Sequence, residues 1–302
     1  MKTNLWIDTD MGNDDIVAIS MLCLNQQITI QGISLVNGVS RVDQGYVNIA
    51  NILSYFGLSL PILKGFSKAL IPNSSAFPTL DRERVEKLNL LTGLNIPSKS
   101  KSVIKNINDQ SVTNIIADNT TILALGPLTN LAMLLKEDKE KFKSKITKIV
   151  LMGGGINNGN VPPLRKAEYN IWLDPQAAQI VFNSGIPITM VGMDATSCVP
   201  NTKEFVEIVN NIKPKTKLGQ VIKAITLGNT SDFDYFYDPL AASILFDPSI
   251  VTEKYRGNIQ VVLKGDEFGR TIFNNNNDVQ VEVVMNVNAD KFFELLITLM
   301  KK

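Results

Sequence analysis

The stretch "TNLWIDTDMGNDDIVAISMLCL" runs from Thr3 to Leu24 and joins two apolar segments through four aspartates. The first segment, "TNLWI", is brief and rich in large apolar residues, which is typical of a buried strand. In the second, "DDIVAISMLCL", apolar residues recur at three- and four-residue spacing, which predicts a helix. A strand that leads directly into a helix is the start of a β-α unit.

The same alternation continues along the chain. Buried strands are predicted at "ITIQGISLV", "TTILAL", "ITKIVLM" and "IPITMVGM", and helices at "DQGYVNIANILSYFG", "PLTNLAMLLKE" and "DPQAAQIVFNSG", two of which end at Gly57 and Gly185. A helical stretch from about Thr202 to Phe246, strands around "IQVVLKG" and "VQVEVVMNV", and a helix from Ala289 follow. This order predicts an α/β fold: a single domain with a mostly parallel central β-sheet flanked by helices, with a Rossmann-like core.

No linker of distinct composition divides residues 1–302, so we predict one domain with a segment inserted at about 65–102. The insertion contains "PNSSAFP" and "IPSKSKS", both rich in turn-forming residues. Long irregular loops in compact domains are often functional, so we predict a mobile lid, with an inert surface loop as the alternative. The tract "NNNND" at 274–278 is interpreted as a polar turn between two strands.

The composition restricts the class of partner. The chain has 302 residues, 44% of them hydrophobic, and a net charge of +1, so no overall field favours nucleic acid or an anionic membrane. Cys23 and Cys198 are too few for a disulfide framework, and neither a signal peptide nor an apolar run of membrane-spanning length is present. We therefore expect a cytoplasmic protein whose partner is a small molecule.

Four carboxylates, those of Asp8, Asp10, Asp14 and Asp15, are predicted in the turn between the first strand and the first helix. Ligands of open parallel sheets gather at this edge, beyond the carboxyl ends of the strands. Carboxylates this close repel one another and favour a hard cation such as calcium, which takes six to eight oxygen ligands. The alternative interpretation is that they serve only as helix caps and turn residues.

Two later segments carry further polar side chains. "LMGGGINNGN" leads into "AEYNIWLDPQAA", where Asn160, Glu168 and Asn170 offer the donors and acceptors that sugar hydroxyls require. The glycine spacing fits neither of the common nucleotide phosphate loops. In "YFYDPLAASILF", Asp238 precedes a proline at a predicted helix start, where an aspartate alone is more often a cap than a metal ligand.

Together these segments resemble the nucleoside hydrolase family, the inosine-uridine-preferring enzymes that split an N-ribosyl bond with water. The opening fits the family signature D-x-D-x-G-x-D-D, and "LGPLTNLA", "LMGGG", "AEYNIWLDPQAA" and "YDPLAA" follow in the family's order. The resemblance implies a homodimer or homotetramer and a calcium ion held by Asp10, Asp15, Asp238 and the backbone carbonyl of Leu125. It also implies Asp10 as general base, with the ribose contacted by Asp14, Asn160, Glu168, Asn170 and Met152.

Two departures from the family concern the sugar and the leaving base. Where many members carry Gly-Asn after the second strand, this chain has "VNGVS", with Val39 at the asparagine's place and Asn37 as the candidate sugar contact. The chain has no histidine, whereas much of the family protonates the leaving base with one. The family's histidine lies just before the last calcium aspartate, and another is often on the lid; Tyr237 and, by a looser match, Asn89 occupy those places here. A tyrosine is a weaker acid than imidazolium, so we expect a preference for pyrimidine nucleosides.

Two alternatives to a working nucleoside hydrolase remain at this point. One is a ribosyl-binding or regulatory pseudoenzyme that keeps the metal and sugar residues without turnover. The other is a phosphatase of the haloacid dehalogenase type, which also places D-x-D after its first strand. The expected x-[TV] after that pair is missing here, because Gly12 follows Met11.

Overall fold

The computed structural model of the protein describes residues 2–97, 104–106, 112–228, 235–275 and 280–301. The strands are β1 (Thr3–Thr9), β2 (Ile28–Leu35), β3 (Ile62–Lys64), β4 (Ile104–Asn106), β5 (Thr120–Ala124), β6 (Ile146–Met152), β7 (Ile188–Val191), β8 (Val251–Val261), β9 (Thr271–Asn274) and β10 (Val281–Val287). The helices are α1 (Asn13–Cys23), α2 (Val42–Phe56), α3 (Thr79–Glu86), α4 (Val112–Ile115), α5 (Thr129–Lys145), α6 (Tyr169–Leu173), α7 (Pro175–Phe182), α8 (Met193–Thr196), α9 (Lys203–Asn211), α10 (Lys217–Gly228), α11 (Tyr237–Phe246) and α12 (Ala289–Lys301).

All ten strands form one sheet in the order β4-β3-β2-β1-β5-β6-β7-β10-β8-β9. The pairs from β4 to β10 are parallel, and only β8 runs antiparallel, to both β10 and β9. On one side of β1 the sheet continues through β2, β3 and β4, and on the other side it continues through β5, β6 and β7. Such a switch point opens a crevice at the carboxyl ends of the strands.

Helices cover both faces of the sheet, and the strand side chains alternate between them. In β1, Leu5 and Ile7 pack into the core shared with α1, α2, α10, α11 and α12, while Trp6 packs into the core shared with α5 and α7. Because both faces are buried, the parallel strands read as continuous apolar runs rather than alternating ones. The predicted α/β fold with a mostly parallel, helix-flanked sheet is confirmed.

Several predicted elements differ from the observed ones. The helical stretch from Thr202 to Phe246 is divided into α9, α10 and α11, and α5 continues to Lys145 through a non-helical residue, Asp138. The predicted strand around "IQVVLKG" is the end of β8, which begins at Val251. Strands β3, β4 and β9 were not predicted, because runs of three or four residues carry little periodicity.

The insertion at 65–102 contains a helix, α3, and a short 3₁₀ turn at Asn89–Leu91, and its last residues, 98–102, lie outside the described part of the chain. Most of the "NNNND" tract, 276–278, also lies outside it; Asn274 ends β9, and the next described strand is β10. Across the described residues, no helix combines the length and the apolar character needed to cross a bilayer.

Asp8 lies inside β1 and not in the turn after it, which corrects the prediction. Its side chain is fully buried and accepts hydrogen bonds from the Ser34 hydroxyl and from the Asn130 amide, at 2.7 Å for the latter. Asn130 also donates to the Leu35 carbonyl at 3.0 Å and accepts from the Phe66 N–H at 2.9 Å. Asn130 therefore joins β1, β2 and the start of the insertion.

We expect Asn130→Ala to lower the free energy of unfolding by about 3 kcal/mol, because it leaves the buried Asp8 carboxylate, the Leu35 carbonyl and the Phe66 N–H without this partner. Urea denaturation of the metal-free protein measures the change. Asn4→Ala is the matched control, since Asn4 donates only a long 3.5 Å bond at the surface and its loss should stay within about 0.5 kcal/mol. Equal stabilities of the two variants would contradict this role of Asn130.

Candidate active site

A pocket of about 300 Å³ opens at the carboxyl ends of the central strands. Asp10 follows β1, Val39 follows β2, Leu125 follows β5 and Met152 ends β6, and all four line the pocket. A cavity of this size at a topological switch point is the usual place for a small-molecule ligand in an open α/β sheet.

The floor of the pocket is an acidic cluster from two distant parts of the chain. Carboxylate oxygens of Asp14, Asp15 and Asp238 lie within 4.8 Å of one another, and the Asp15 carboxyl also lies against that of Asp10. Asp10, Asp15 and Asp238 are buried, whereas Asp14 is partly exposed. Asp14 and Asp15 lie in the first turn of α1 and Asp238 in the first turn of α11, so the predicted helix start at Asp238 is confirmed.

Backbone groups hold two of these carboxylates in place. Asp15 accepts from the Gly12 N–H at 2.7 Å and from the Thr9 hydroxyl, at the start of α1. Asp10 accepts from the Val39 N–H at 2.7 Å. Gly38 is required beside it, because a Cβ at that position would lie 2.0 Å from the Asp10 Oδ2.

Burial raises the pKa values of the whole cluster, and repulsion between carboxylates adds to this at Asp10, Asp14 and Asp238. Loss of solvent, followed by the charge of Asp15, raises the pKa of Asp14 to about 7, and the same causes raise the pKa of Asp10 well above its ordinary value. Desolvation also raises the pKa values of Asp15 and Asp238. Among the described residues, no lysine or arginine forms an ion pair with any of the four.

This donor set fits a hard cation. A bound cation would supply the positive charge that these buried carboxylates lack, and it would favour their ionised forms. The available ligand atoms are carboxylate and carbonyl oxygens, which suit calcium or magnesium, whereas zinc sites are built mainly from cysteine and histidine. No histidine exists in the chain, and both cysteines are free and away from the pocket lining.

Two further polar side chains that line the pocket, those of Glu168 and Asn170, are hydrogen-bonded to backbone groups. Glu168 caps α6 and accepts from the N–H groups of Gly154, Asn170 and Ile171 at 2.9–3.3 Å. The Asn170 amide donates to the carbonyls of Leu125 and Met152 at 3.0 and 3.2 Å. These bonds fix the orientation of both side chains, which also line the pocket.

Asn160, at the end of the triple-glycine segment, accepts from the Tyr169 N–H at 3.0 Å and also lines the pocket. The structure therefore brings together nearly all of the predicted site residues: Asp10, Asp14, Asp15, Leu125, Met152, Asn160, Glu168, Asn170, Tyr237 and Asp238.

Two of the side chains considered at the sequence level do not reach the pocket. Asn37 is absent from its lining, and Val39 lines the pocket instead. Asn89, the looser match to a lid histidine, is exposed in the 3₁₀ turn beyond α3. Residues earlier in the chain, in α3, line the pocket instead.

The insertion was predicted as a lid, but none of its residues was predicted to line the pocket. Phe77 stacks on Tyr169 with ring centroids 4.5 Å apart, and both line the pocket. From α3, Asp81, Arg84 and Val85 line it too. Their i, i+3, i+4 spacing puts them on one helix face, but a sequence signal for this face was missing because only one of the three is apolar. Asn13, at the start of α1, completes the residues that were missed.

Comparison with known proteins agrees with this geometry. The family model of the inosine-uridine preferring nucleoside hydrolases matches residues 5–294. The chain belongs to this family. The resemblance found in the sequence is thus confirmed, and so is the class of enzyme, a hydrolase acting on N-glycosyl bonds. The haloacid dehalogenase alternative is wrong.

Named relatives of this nucleoside hydrolase family member differ in their base preference. A probable ribonucleoside hydrolase of Dictyostelium discoideum is 28% identical over 97% of this chain and 93% of its own length. The pyrimidine-specific ribonucleoside hydrolase RihB of Shigella flexneri serotype 5b (strain 8401) is 28% identical over 90% and 87%. The solved purine-preferring ribonucleoside hydrolase of Gardnerella vaginalis is 29% identical, with a TM-score of 0.81 over 99% and 98% of the two chains.

The buried carboxyl of Glu168 predicts a specific pH dependence of stability. Burial raises the pKa of Glu168 to about 7, partly opposed by hydrogen bonds from backbone N–H groups. Because the pKa is higher in the folded than in the unfolded state, the folded state retains the proton over a pH range in which the unfolded state has lost it. The contribution of Glu168 to stability is therefore fully present below pH 4.5 and is lost as the pH rises toward 7.

We expect the stability of the wild-type protein, relative to Glu168→Gln, to fall by up to about 3 kcal/mol between pH 4.5 and 8. Urea denaturation of both metal-free proteins across this range gives the difference. Its slope with pH is the test, since the substitution also changes the cap of α6 by a constant amount. A difference independent of pH would show that Glu168 titrates normally.

Proposed function

We propose that this protein is a calcium-dependent ribonucleoside hydrolase that releases ribose and a free base, with a preference for pyrimidine nucleosides. The observation that carries the proposal is the acidic cluster of Asp10, Asp14, Asp15 and Asp238, which lines one pocket together with Asn160, Glu168 and Asn170. Anionic groups and hydroxyl-binding groups in the same pocket suit a sugar that develops positive charge as its base leaves.

Calcium is the proposed cation, held by the carboxylates of Asp10, Asp15 and Asp238 and by the Leu125 carbonyl. These groups supply hard oxygen ligands, and calcium accepts more of them, in less regular geometry, than magnesium does. Bound calcium would orient the attacking water and the ribose hydroxyls and make that water more acidic. The Leu125 carbonyl already accepts one bond from Asn170, which orients that amide beside the cation site.

Asp10 is the proposed general base. Its carboxylate lines the pocket, and the Val39 N–H fixes one of its oxygens. A carboxylate held in this way can take the proton of the attacking water, which leaves a hydroxide to form the new bond to C1′. The bond between C1′ and the base nitrogen breaks, and its electron pair departs with the base.

The ribose hydroxyls are proposed to contact Asp14, Asn160, Glu168 and Asn170, and Met152 is proposed to pack near the sugar. The backbone bonds of Glu168 and Asn170 limit their rotation, so little conformational entropy is lost when the sugar binds. Asn37 is left out of this proposal because it does not line the pocket.

The proposal is tested by assaying release of ribose from a panel of ribonucleosides with and without a calcium chelator. We expect hydrolysis that is lost on chelation and restored by calcium, and Asp10→Asn should lower turnover by at least about a hundredfold because the base is removed. Asp118→Asn is the matched control, an exposed aspartate remote from the site.

Two results would overturn the proposal. No ribose release from any nucleoside, despite bound calcium, would identify the protein as a ribosyl-binding pseudoenzyme. Full activity of metal-free protein, or normal turnover of Asp10→Asn with calcium bound, would refute the assigned mechanism.

The base side of the pocket supports the pyrimidine preference. Tyr237 and Arg84 line the pocket and are hydrogen-bond donors. Uracil and cytosine carry a carbonyl next to the nitrogen that is bonded to ribose, and purines have no carbonyl in that position. A neutral hydroxyl can donate to this carbonyl as negative charge develops there, whereas full protonation of a purine nitrogen calls for a stronger acid.

We expect Tyr237→Phe to reduce hydrolysis of uridine at least about tenfold while changing that of p-nitrophenyl riboside less than about threefold, because nitrophenolate leaves without protonation. The wild-type protein should cleave the nitrophenyl compound far faster than inosine or adenosine. Tyr235→Phe is the control, since Tyr235 contacts the Tyr237 ring at a centroid distance of 5.8 Å but does not line the pocket. Equal losses on both substrates, or fast purine hydrolysis by the wild-type protein, would place the acid elsewhere.

Three further properties belong to the proposal. The insertion at 65–102 is proposed as a lid over the base, because Phe77 and α3 form one wall of the pocket. A homodimer or homotetramer follows from the family resemblance, and light scattering coupled to size-exclusion chromatography measures it. A cytoplasmic location agrees with Cys23 and Cys198 being free thiols.

A further inference from the structure

Helix α3 of the insertion is bonded directly to residues 36–41, the loop between β2 and α2 whose Val39 N–H donates to Asp10. Glu86 accepts from the Arg41 N–H, Nε and Nη2 at 2.5–2.9 Å, and Arg82 Nη2 donates to the Gly38 carbonyl at 2.6 Å. Arg82 and Glu86 are four residues apart, so they share one helix face, and that face is turned toward this loop.

The Gly38 carbonyl and the Val39 N–H belong to the same peptide group. That group is planar, with its carbonyl and its N–H pointing in opposite directions. Arg82 therefore binds one end of the peptide, and the other end donates to the Asp10 Oδ2 at 2.7 Å. A rotation of this peptide would lengthen both bonds together.

The charges along this line reinforce both bonds. The guanidinium of Arg82 lies at the oxygen end of the peptide dipole, and the Asp10 carboxylate lies at the N–H end. Hydrogen bonds to charged groups are stronger than neutral ones, and bonds in a chain polarise one another. The absence of a side chain at Gly38 lets the peptide approach Asp10 this closely.

We propose that Arg82 is a positioning residue that fixes the carboxylate of Asp10 through the Gly38–Val39 peptide. The inference rests on the proposed function, because it takes Asp10 as the base and as a calcium ligand. It gives the insertion a second role besides that of a wall: one of its side chains determines where the Asp10 carboxylate points.

A purely structural role explains the geometry less well. The Arg41–Glu86 pair and the Asn48 amide, which donates to the Glu86 carbonyl at 3.1 Å, already attach α3 to the rest of the protein. Arg82 Nε is buried and has no hydrogen-bond partner among the described residues, which is unfavourable for stability. Burial of Arg82 Nε therefore costs free energy of desolvation, although Arg82 Nη2 still donates to the Gly38 carbonyl.

The test compares Arg82→Met and Arg82→Gln, which remove the charge, with Arg82→Lys, which keeps it. Lys87→Gln is the matched control: it removes a positive charge from a residue just after α3 that pairs, among the described residues, with Glu83 at the surface. Three quantities are measured: kcat and KM for uridine, the calcium dissociation constant by isothermal titration calorimetry, and the melting temperature without metal.

We expect Arg82→Met and Arg82→Gln to lower kcat at least about tenfold with less than a threefold change in KM, and to weaken calcium binding several-fold. Arg82→Lys should recover part of both losses, and Lys87→Gln should match the wild type. Melting temperatures should stay within a few degrees.

Unchanged kcat and calcium affinity in a folded Arg82→Met or Arg82→Gln protein would overturn the inference. Failure of both variants to fold would also overturn it, since Arg82 would then be required for the fold itself. If the wild type hydrolyses no nucleoside, the proposed function fails, and the calcium dissociation constants of the variants still decide whether Arg82 positions Asp10.

Discussion

Asp10, Asp14, Asp15 and Asp238 come from two distant parts of the chain and are largely removed from water, which raises the free energy of their ionised forms. Repulsion between carboxylates raises it further at Asp10, Asp14 and Asp238. Neighbouring groups compensate this only in part. The Asp15 carboxylate accepts hydrogen bonds from the Gly12 N–H and the Thr9 hydroxyl at the start of α1, and the Asp10 carboxylate accepts one from the Val39 N–H. The remaining demand for positive charge explains why the pocket is suited to a hard cation and, with it, to chemistry on a sugar that becomes cationic.

The fold around this cluster brings the carboxyl ends of four neighbouring strands, β1, β2, β5 and β6, to one edge of the sheet. Each strand end supplies a different kind of group: a carboxylate after β1, a backbone N–H after β2, a carbonyl after β5 and a thioether from β6. Asn170 then joins two of these ends by donating to the carbonyls of Leu125 and Met152. The site is therefore held mainly by backbone groups of rigid elements, which keeps the spacing of its side chains fixed.

Much of this was predictable from the sequence. The central strands are apolar runs of five to eight residues, and the carboxylates of Asp10, Asp14 and Asp15 are adjacent in the chain. The link to Asp238 required the family resemblance, because an isolated Asp-Pro at a helix start has an ordinary capping role as well.

Other parts could not be predicted, for physical reasons. The bond from Val39 to Asp10 uses a backbone N–H, which every residue except proline carries, so the sequence offers no signal for it. That Val39 and not Asn37 lines the pocket depends on the exact path of the turn after β2, which the residue types do not specify. Helix α3 has only eight residues and a polar sequence, and its contacts are ion pairs and hydrogen bonds, which leave no apolar periodicity.

The two faces of α3 contact different parts of the site. Asp81, Arg84 and Val85 face the pocket, while Arg82 and Glu86 face the loop that holds Asp10. Because the two sets do not overlap, the pocket face can change in shape and charge while the anchoring face stays the same. We therefore expect that the choice of base and the speed of the reaction can be altered separately within one short helix, which makes α3 the natural segment in which to redesign the substrate range of this enzyme.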